Sequence, residues 1–217
     1  MAVKIGLKVI DIWGDSMEDA VCEYEKEEIK TGNIVFYGPS NFTRWSKKYG
    51  HRPLSEEVLG ASGEKCCINR GFGSSCSEHH LYYYDRMVRP LKPKVLVYSF
   101  YGNAKAFGYS VEENWEIAQR VIAYAKTDFP DIKIYLVGGL RNENVSDAAE
   151  LRNVKRFDML LRAFAEENGC TFIEMQSRKQ FQDPSIYVED NVHYNQKGYD
   201  LYAEVFRKEL ASELAKY

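Results

Sequence analysis

The sequence has no long apolar run, no cluster of basic residues and no paired cysteine motif. Because a transmembrane helix needs about 20 mostly apolar residues in a row, the 217-residue chain predicts no membrane span. The N-terminal residues also lack a sustained apolar segment followed by a small-residue cleavage site, so we expect no secretory signal. A formal net charge of −3 gives no electrostatic reason to expect a nucleic-acid partner.

Cysteine is scarce, and its spacing forms no known ligand pattern. The five cysteines are at positions 22, 66, 67, 76 and 170. An odd number without a CxxC pair argues against a disulfide framework or a zinc site, so we expect free thiols in a reducing cytoplasm and no metal. Cys66 and Cys67 lie within a predicted strand, where they are expected to fill core positions. A cysteine nucleophile is disfavoured because neither lies at the carboxyl end of that strand.

The remaining composition is that of a globular protein. Hydrophobic residues make up 45% of the chain and charged residues 28%, and this length suffices for one large core. No internal repeat or low-complexity segment is present, so we expect one domain over residues 1–217, with residues 31–217 as its core. Residues 1–30 are expected to form an extension or an edge element, with a strand at Lys4–Trp13 and an acidic helix at Met17–Lys30.

Short apolar runs alternate with segments of helical periodicity along the core. Strands are predicted at residues 34–37, 65–69, 94–100, 132–137 and 171–174. Helices are predicted at residues 77–88, from the capping box at Ser110 to residue 127, from a cap at Ser146 to a stop at Gly169, and after a cap at Asn195. Such alternation indicates a parallel sheet covered on both faces. We therefore expect an α/β fold: a three-layer α/β/α sandwich with a five-stranded parallel sheet in flavodoxin-like order.

Residues suited to catalysis follow the ends of the predicted strands. Ser40 follows the first strand, Gly71 the second and Asn103 the third, while Asp190 and His193 directly precede the last helix. In an open α/β sheet, ligands bind in the crevice beyond the carboxyl ends of the strands. The topology therefore predicts that these five residues share one edge of the sheet.

Acyl transfer requires this set of groups. A serine hydroxyl is a poor nucleophile until an imidazole takes its proton, and the imidazole needs a carboxylate to fix its tautomer. Asp190 and His193 are three residues apart and can meet within one turn. A tetrahedral oxyanion needs preorganised N–H donors, which glycine and asparagine at the strand ends can supply.

The order of these motifs resembles that of the SGNH hydrolases, the GDSL-type esterases and lipases. The four similar blocks are Gly38-Pro39-Ser40 with Trp45, Asn69-Arg70-Gly71-Phe72-Gly73, Gly102-Asn103, and Asp190-Asn191-Val192-His193 with Asn195 and Gly198-Tyr199. Each block is a weak signal alone, whereas four in the correct order across residues 33–206 are specific.

This resemblance implies the SGNH hydrolase fold and a serine ester hydrolase without a cofactor. It implies that Ser40 is the nucleophile, that His193 is the base and that Asp190 orients it. The oxyanion donors are then the N–H groups of Ser40 and Gly71 and the side chain of Asn103. The implied partner is a small ester with a short acyl chain. O-acetylated carbohydrate is the first expectation and a lysophospholipid or thioester the next, although no residue selects among them.

Two positions depart from the family pattern. Pro39 replaces the usual Asp or Ser before the nucleophile, and Ala104 replaces the usual Asp after the oxyanion asparagine. Proline removes only its own N–H, so the Ser40 donor is retained. Because both changes affect the site, a ligand- or protein-binding module that keeps the hydrolase fold is the alternative function.

A second serine motif, Gly14-Asp15-Ser16, competes with Ser40. Ser16 precedes Gly71 by about 55 residues and Ser40 precedes it by about 31, and one strand–helix unit spans about 30 residues. We therefore favour Ser40 and interpret Ser16 as a turn residue.

Several other patterns have simpler interpretations. A dinucleotide fingerprint beginning at Gly71 fails because Cys76 occupies the position of its third glycine, so no nucleotide-binding loop is expected. His79 and His80 are interpreted as a solvated helix start. Arg44, Tyr101 and Arg141 are expected either to line the substrate pocket or to be ordinary surface residues. The oligomeric state is left open, including a homo-oligomer.

Overall fold

The computed structural model describes residue 12 and residues 14–217, which are organised around a five-stranded parallel sheet. The strands are β1 (Ile34–Gly38), β2 (Cys67–Gly71), β3 (Val95–Tyr98), β4 (Lys133–Val137) and β5 (Thr171–Ile173). Their order is β2-β1-β3-β4-β5, and every neighbouring pair is parallel. The flavodoxin-like order and the number of strands predicted from the sequence are thus confirmed.

The central strand shows why these segments form a buried parallel sheet. All five residues of β1 are buried, because helices cover both faces of the sheet. A strand in such a position needs a continuous apolar run rather than an alternating one, and Ile34–Tyr37 supplies it. β1 pairs with β2 on one side and β3 on the other, and Gly38 lies opposite Gly71 where β1 and β2 end. This register brings the segments that follow β1, β2 and β3 to one edge.

The helices form the two outer layers. They are α1 (Gly14–Glu25), α2 (Ser40–Thr43), α3 (Leu54–Glu57), α4 (Ser77–Met87), α5 (Val111–Asp128), α6 (Ala148–Asn168), α7 (Gln196–Glu209) and α8 (Ala211–Leu214). Side chains from α2, α3, α7 and α8 pack on one face of the sheet, and side chains from α1, α4, α5 and α6 pack on the other. The α/β/α sandwich is therefore confirmed.

Local capping signals explain where α5 begins and where α6 begins and ends. The Ser110 side chain accepts a bond from the N–H of Glu113 and Glu113 accepts one from Ser110, which confirms the predicted capping box. The predicted cap of α6 at Ser146 is wrong by one residue, because the Asp147 carboxylate accepts the bond from the N–H of Glu150. That helix ends at Gly169 as predicted, with a φ of 61° that glycine adopts without strain.

The described part of the N-terminal segment is helix α1, which packs against the rest of the molecule. The strand expected at residues 4–13 lies, apart from Ile12, outside the described residues. The acidic helix is present but shorter than predicted, and its Met17 and Val21 are buried against α4. The Tyr24 hydroxyl donates to the carbonyl of Gly71 over 2.6 Å. Helix α1 is therefore attached to the end of β2, beside the edge where the predicted site residues meet.

The interpretation of His79 and His80 as solvated is wrong. Both side chains are fully buried at the start of α4. Cys66 and Cys67 are buried as expected. Among the described residues, no helix is long and apolar enough to cross a lipid bilayer.

Candidate active site

Ser40 stands at the turn that follows β1. Gly38 is required there because a Cβ on it would lie 2.6 Å from the carbonyl oxygen of Ser99 on the neighbouring chain segment. Pro39 has a φ of −81° and extended ψ, a conformation that proline adopts readily, so it does not distort the turn. Ser40 is the first residue of α2, and its N–H therefore has no partner within that helix.

His193 and Asp190 lie opposite Ser40 across the lip of the sheet. The Nε2 atom of His193 is 2.8 Å from Ser40 Oγ, and its Nδ1 atom is 2.6 Å from Asp190 Oδ2. Because a carboxylate can only accept at Nδ1, the proton of the neutral ring belongs on Nδ1 and leaves Nε2 as the acceptor for the Ser40 hydroxyl. The three side chains thus form one continuous hydrogen-bonded line.

The loop that carries this pair is folded by its own backbone. Val188 N–H donates to the carbonyl of His193 over 2.9 Å, and Asn191 N–H donates to the carbonyl of Val188 over 3.0 Å. Asn191 adopts a φ of 55°, which asparagine tolerates better than most residues. Asn195 then caps α7 through its side chain. His193 is therefore fixed between a tight turn and the start of a long helix.

Asp190 is held in its ionised form. Partial burial by itself would raise the pKa of this carboxyl, but hydrogen bonds from the backbone N–H and imidazole of His193 and from the N–H of Val192 outweigh it and lower the pKa to about 2. Arg44 adds a positive charge 3.8 Å from Asp190 Oδ2. The carboxylate is thus available to orient His193 throughout the neutral range.

Gly71 does not face the crevice, so the predicted place of this oxyanion donor is wrong. Its N–H donates to the Asn69 side chain over 2.9 Å. A Cβ at position 71 would lie 2.4 Å from the backbone nitrogen of Thr43, so the glycine is required for packing against α2. Gly73 and Ser74 line the cavity beside Ser40 instead, and their N–H groups take no part in the hydrogen bonds of the described residues. The second glycine of the NRGFG block was the available signal in the sequence.

Asn103 lies in a short 3₁₀ segment after β3 and also lines this cavity. Its Nδ2 donates to the carbonyl of Ser75 over 2.9 Å. Because a side-chain amide carries two hydrogens, a second one is left for a ligand. Ala104, where the family has Asp, is buried in a small apolar cluster with Cys76, Tyr109 and Ile117.

The cavity around Ser40 has a volume of about 380 Å³. Helix α1 forms one wall with Ser16, Met17 and Ala20. Arg44 and Lys48 also line it, and no described lining residue is a carboxylate. Ser16 lies on the rim, whereas the imidazole of His193 is bonded to Ser40. The structure thus favours Ser40 over Ser16, as the spacing argument did.

Tyr101 and Arg141 line a neighbouring cavity of about 330 Å³, and Arg141 also lines a second one of about 300 Å³. The Arg141 guanidinium stacks on the Tyr101 ring at 4.9 Å. Within the part of the chain that the structure describes, no group of three or more His, Cys, Asp or Glu side chains is arranged as metal ligands.

The fold matches solved structures of ester hydrolases. Similar structures include a protein described as an acylhydrolase from Bacteroides fragilis, with 21% identity over 88% of this chain and 94% of that chain and a TM-score of 0.70. A GDSL-like lipase from Bacteroides thetaiotaomicron is 17% identical over 96% and 100%, with a TM-score of 0.64. An acetylxylan esterase from Geobacillus stearothermophilus matches as a catalytic mutant in which a histidine is replaced by alanine, with 16% identity over 85% and 96% and a TM-score of 0.64.

No protein-family model and no curated protein sequence matches this chain. The structural similarity at these low identities establishes the fold, and the fold is the one that the sequence resemblance implied.

Proposed function

We propose that this chain is a serine ester hydrolase of the SGNH type. The observation that carries the proposal is the hydrogen-bonded line from Asp190 through His193 to Ser40, with distances of 2.6 and 2.8 Å. Acyl transfer by serine requires a nucleophile, a base and an orienting carboxylate that are hydrogen-bonded in this order. The similar solved structures, which include lipases and acetylxylan esterases, support the same class.

In the first half of the reaction, Ser40 Oγ attacks the carbonyl carbon of the ester while His193 Nε2 takes the hydroxyl proton. The imidazolium that forms is stabilised by the Asp190 carboxylate. When the tetrahedral intermediate collapses, the bond to the alcohol oxygen breaks and His193 returns the proton to that oxygen. The alcohol leaves, and the acyl group stays on Ser40. In the second half, a water molecule attacks the acyl carbonyl carbon while His193 takes its proton. The bond to Ser40 Oγ then breaks, His193 returns the proton to that oxygen, and the carboxylic acid leaves.

The negative charge on the carbonyl oxygen needs donors already in place. We assign this role to the N–H of Ser40, the N–H groups of Gly73 and Ser74, and the free amide hydrogen of Asn103. All four residues line the same cavity. Gly71 has a supporting role, because it allows α2 to pack closely against β2. Removing a single such donor typically costs about 10²–10³ in kcat.

The substrate that we propose is a short acyl ester, with O-acetylated carbohydrate as the first candidate and lysophospholipids or thioesters next. The acetylxylan esterase among the similar structures supports acetate, and the cavity of about 380 Å³ has room for a small acyl group and part of its alcohol. The catalytic unit is residues 31–217. Helix α1, the described part of the N-terminal extension, supplies one cavity wall. We expect the protein to work in the cytoplasm.

A fluorophosphonate probe and a panel of p-nitrophenyl esters from acetate to octanoate test the proposal together. An activated Ser40 should be labelled to one equivalent, the label should be lost in Ser40→Ala, and hydrolysis should be fastest for the shortest esters. Acetylated xylo-oligosaccharides then test the carbohydrate expectation. A folded wild-type protein that is neither labelled nor active would favour the alternative function, a binding module on this fold.

A further inference from the structure

A buried chain of polar groups lies directly behind the candidate active site. His80 is fully buried, with Nε2 2.9 Å from Ser75 Oγ and Nδ1 3.2 Å from the Tyr98 hydroxyl. Ser75 is also buried, and its hydroxyl lies 2.7 Å from the carbonyl of Phe72. The chain therefore runs from β3, through the first turn of α4, to the loop that follows β2.

The positions of the hydrogens in this chain follow from chemistry. Phe72 offers only a carbonyl, so the Ser75 hydroxyl must donate to it and accept from His80. His80 then carries its proton on Nε2 and accepts from the Tyr98 hydroxyl at Nδ1. Burial lowers the pKa of His80 well below its usual value, so the ring stays neutral and one nitrogen remains an acceptor. Each donor in this chain of polar groups therefore has an acceptor, and only one arrangement of the hydrogens fits.

This chain closes the turn that presents Gly73 and Ser74 to the cavity. Phe72 N–H donates to the carbonyl of Gly38 over 3.0 Å, which fixes the start of the turn to β1. The Ser75 hydroxyl bonds back to Phe72 and fixes its end. Between them Ser74 adopts a φ of 59°, a conformation that costs a non-glycine residue energy and needs its surroundings to hold it.

The same turn also holds Asn103. The carbonyl of Ser75 accepts the bond from Asn103 Nδ2 at 2.9 Å, while Ala104 provides no side chain that could brace the segment by hydrogen bonding. We infer that His80 is a positioning residue for the oxyanion hole: through Ser75 it fixes both the Gly73–Ser74 turn and the Asn103 amide. This inference rests on the proposed function.

The experiment compares His80→Leu, His80→Gln and Ser75→Ala with wild type, with kcat normalised to the endpoint of fluorophosphonate labelling. Normalisation removes any loss of folded protein from the result. Loosened donors are worth less than preorganised ones, so we expect His80→Leu to lower kcat per labelled site by about tenfold to a hundredfold with KM nearly unchanged. Gln retains a donor near the position of Nε2, so His80→Gln should recover part of the loss.

A matched control separates positioning from general destabilisation. Tyr37 is equally buried, and its hydroxyl donates to the backbone carbonyl of His80 over 2.7 Å and takes no part in the hydrogen bonds of the Ser75 hydroxyl. Tyr37→Phe should lower the melting temperature and leave kcat per labelled site unchanged. The double variant of His80→Leu and Ser75→Ala should lose no more kcat than the worse single variant, because both act through one chain.

A measurement independent of turnover completes the test. Hydrogen exchange of the Asn103 side-chain amide, monitored by NMR, should be slow in wild type and fast in His80→Leu. If His80→Leu keeps both the slow exchange and the wild-type kcat, the inference is overturned while the proposed function stands. If wild type is neither labelled nor active, the proposed function fails instead, and the inferred role of His80 fails with it.

Discussion

His193 Nε2 lies 2.8 Å from Ser40 Oγ although the two residues are 153 positions apart in the chain. The distance results from the parallel sheet, which places the end of β1 and the loop before α7 on one edge. No local feature of either segment fixes it, so the pair depends on the fold as a whole.

The first prediction separates the two candidate serines. Ser40→Ala should remove nearly all esterase activity, because loss of a triad member leaves only about 10³–10⁴ of acceleration over water. Ser16→Ala is the matched control on the rim of the same cavity, and it should keep kcat within a few-fold of wild type. Rates on p-nitrophenyl acetate decide the matter. An inactive, folded Ser16→Ala beside an active Ser40→Ala would reverse the assignment.

The second prediction distinguishes Gly71 from Gly73. A Cβ at position 71 would meet the backbone of Thr43, whereas a Cβ at position 73 has open space around it. Gly71→Ala should therefore lower the free energy of unfolding by about 1–3 kcal/mol, as overpacking does. Gly73→Ala should fold with near-normal stability and affect kinetics alone, since it places a methyl group in the cavity. Denaturant unfolding of both proteins provides the comparison, and equal stabilities would contradict it.

The third prediction concerns Ala104. Restoring the aspartate usual in the family looks beneficial from sequence alone, since it would brace Asn103. The structure argues the opposite, because Ala104 is buried in an apolar cluster with Cys76, Tyr109 and Ile117. Ala104→Asp should lower the free energy of unfolding by about 3 kcal/mol or more, the cost of an unpaired buried charge. Ala104→Ser is the size-matched control and should cost much less. A stable Ala104→Asp with raised kcat would contradict this view of the loop.

The features predictable from the sequence were those with a local cause. The Ser110 capping box and the αL stop at Gly169 depend on residues within one helical turn, and both are present. The central strands β1 and β3 were predictable because helices cover both sheet faces, so each of them is a continuous apolar run. Asp190 and His193 could be paired because three residues of chain bring them together.

The features that could not be predicted depend on the hydrogen-bond partners of individual polar groups. Burial of His80 requires the Ser75 hydroxyl and Tyr98, which only the folded sheet brings to it. The N–H of Gly71 was predicted to donate to the oxyanion, but it donates to the Asn69 side chain instead. The fold pairs the buried histidine, whereas a side chain only two residues away pairs the glycine N–H, and a single sequence contains no periodic signal for either pairing.

The last prediction uses the pH dependence of stability. Burial raises the pKa of Asp158 to about 7, although the N–H of Gly139 donates to its carboxyl over 2.8 Å and works in the opposite direction. The unfolded chain loses this proton near pH 4 and the folded one near pH 7. The contribution of Asp158 to stability is therefore complete below pH 4 and is lost as the pH rises to 7.

Asp158→Asn keeps an acceptor for Gly139 and removes the titration. The melting temperature of this variant, relative to wild type, should rise steadily between pH 4 and 7 and then level off. Asp183→Asn is the control of opposite sign. Hydrogen bonds from Ser185, first from its backbone N–H, and from Lys197 lower the pKa of Asp183 to about 2, so its contribution is present above pH 4 and is lost as the pH falls towards 2. A difference between Asp158→Asn and wild type that does not change with pH would show that this carboxyl titrates alike in both states.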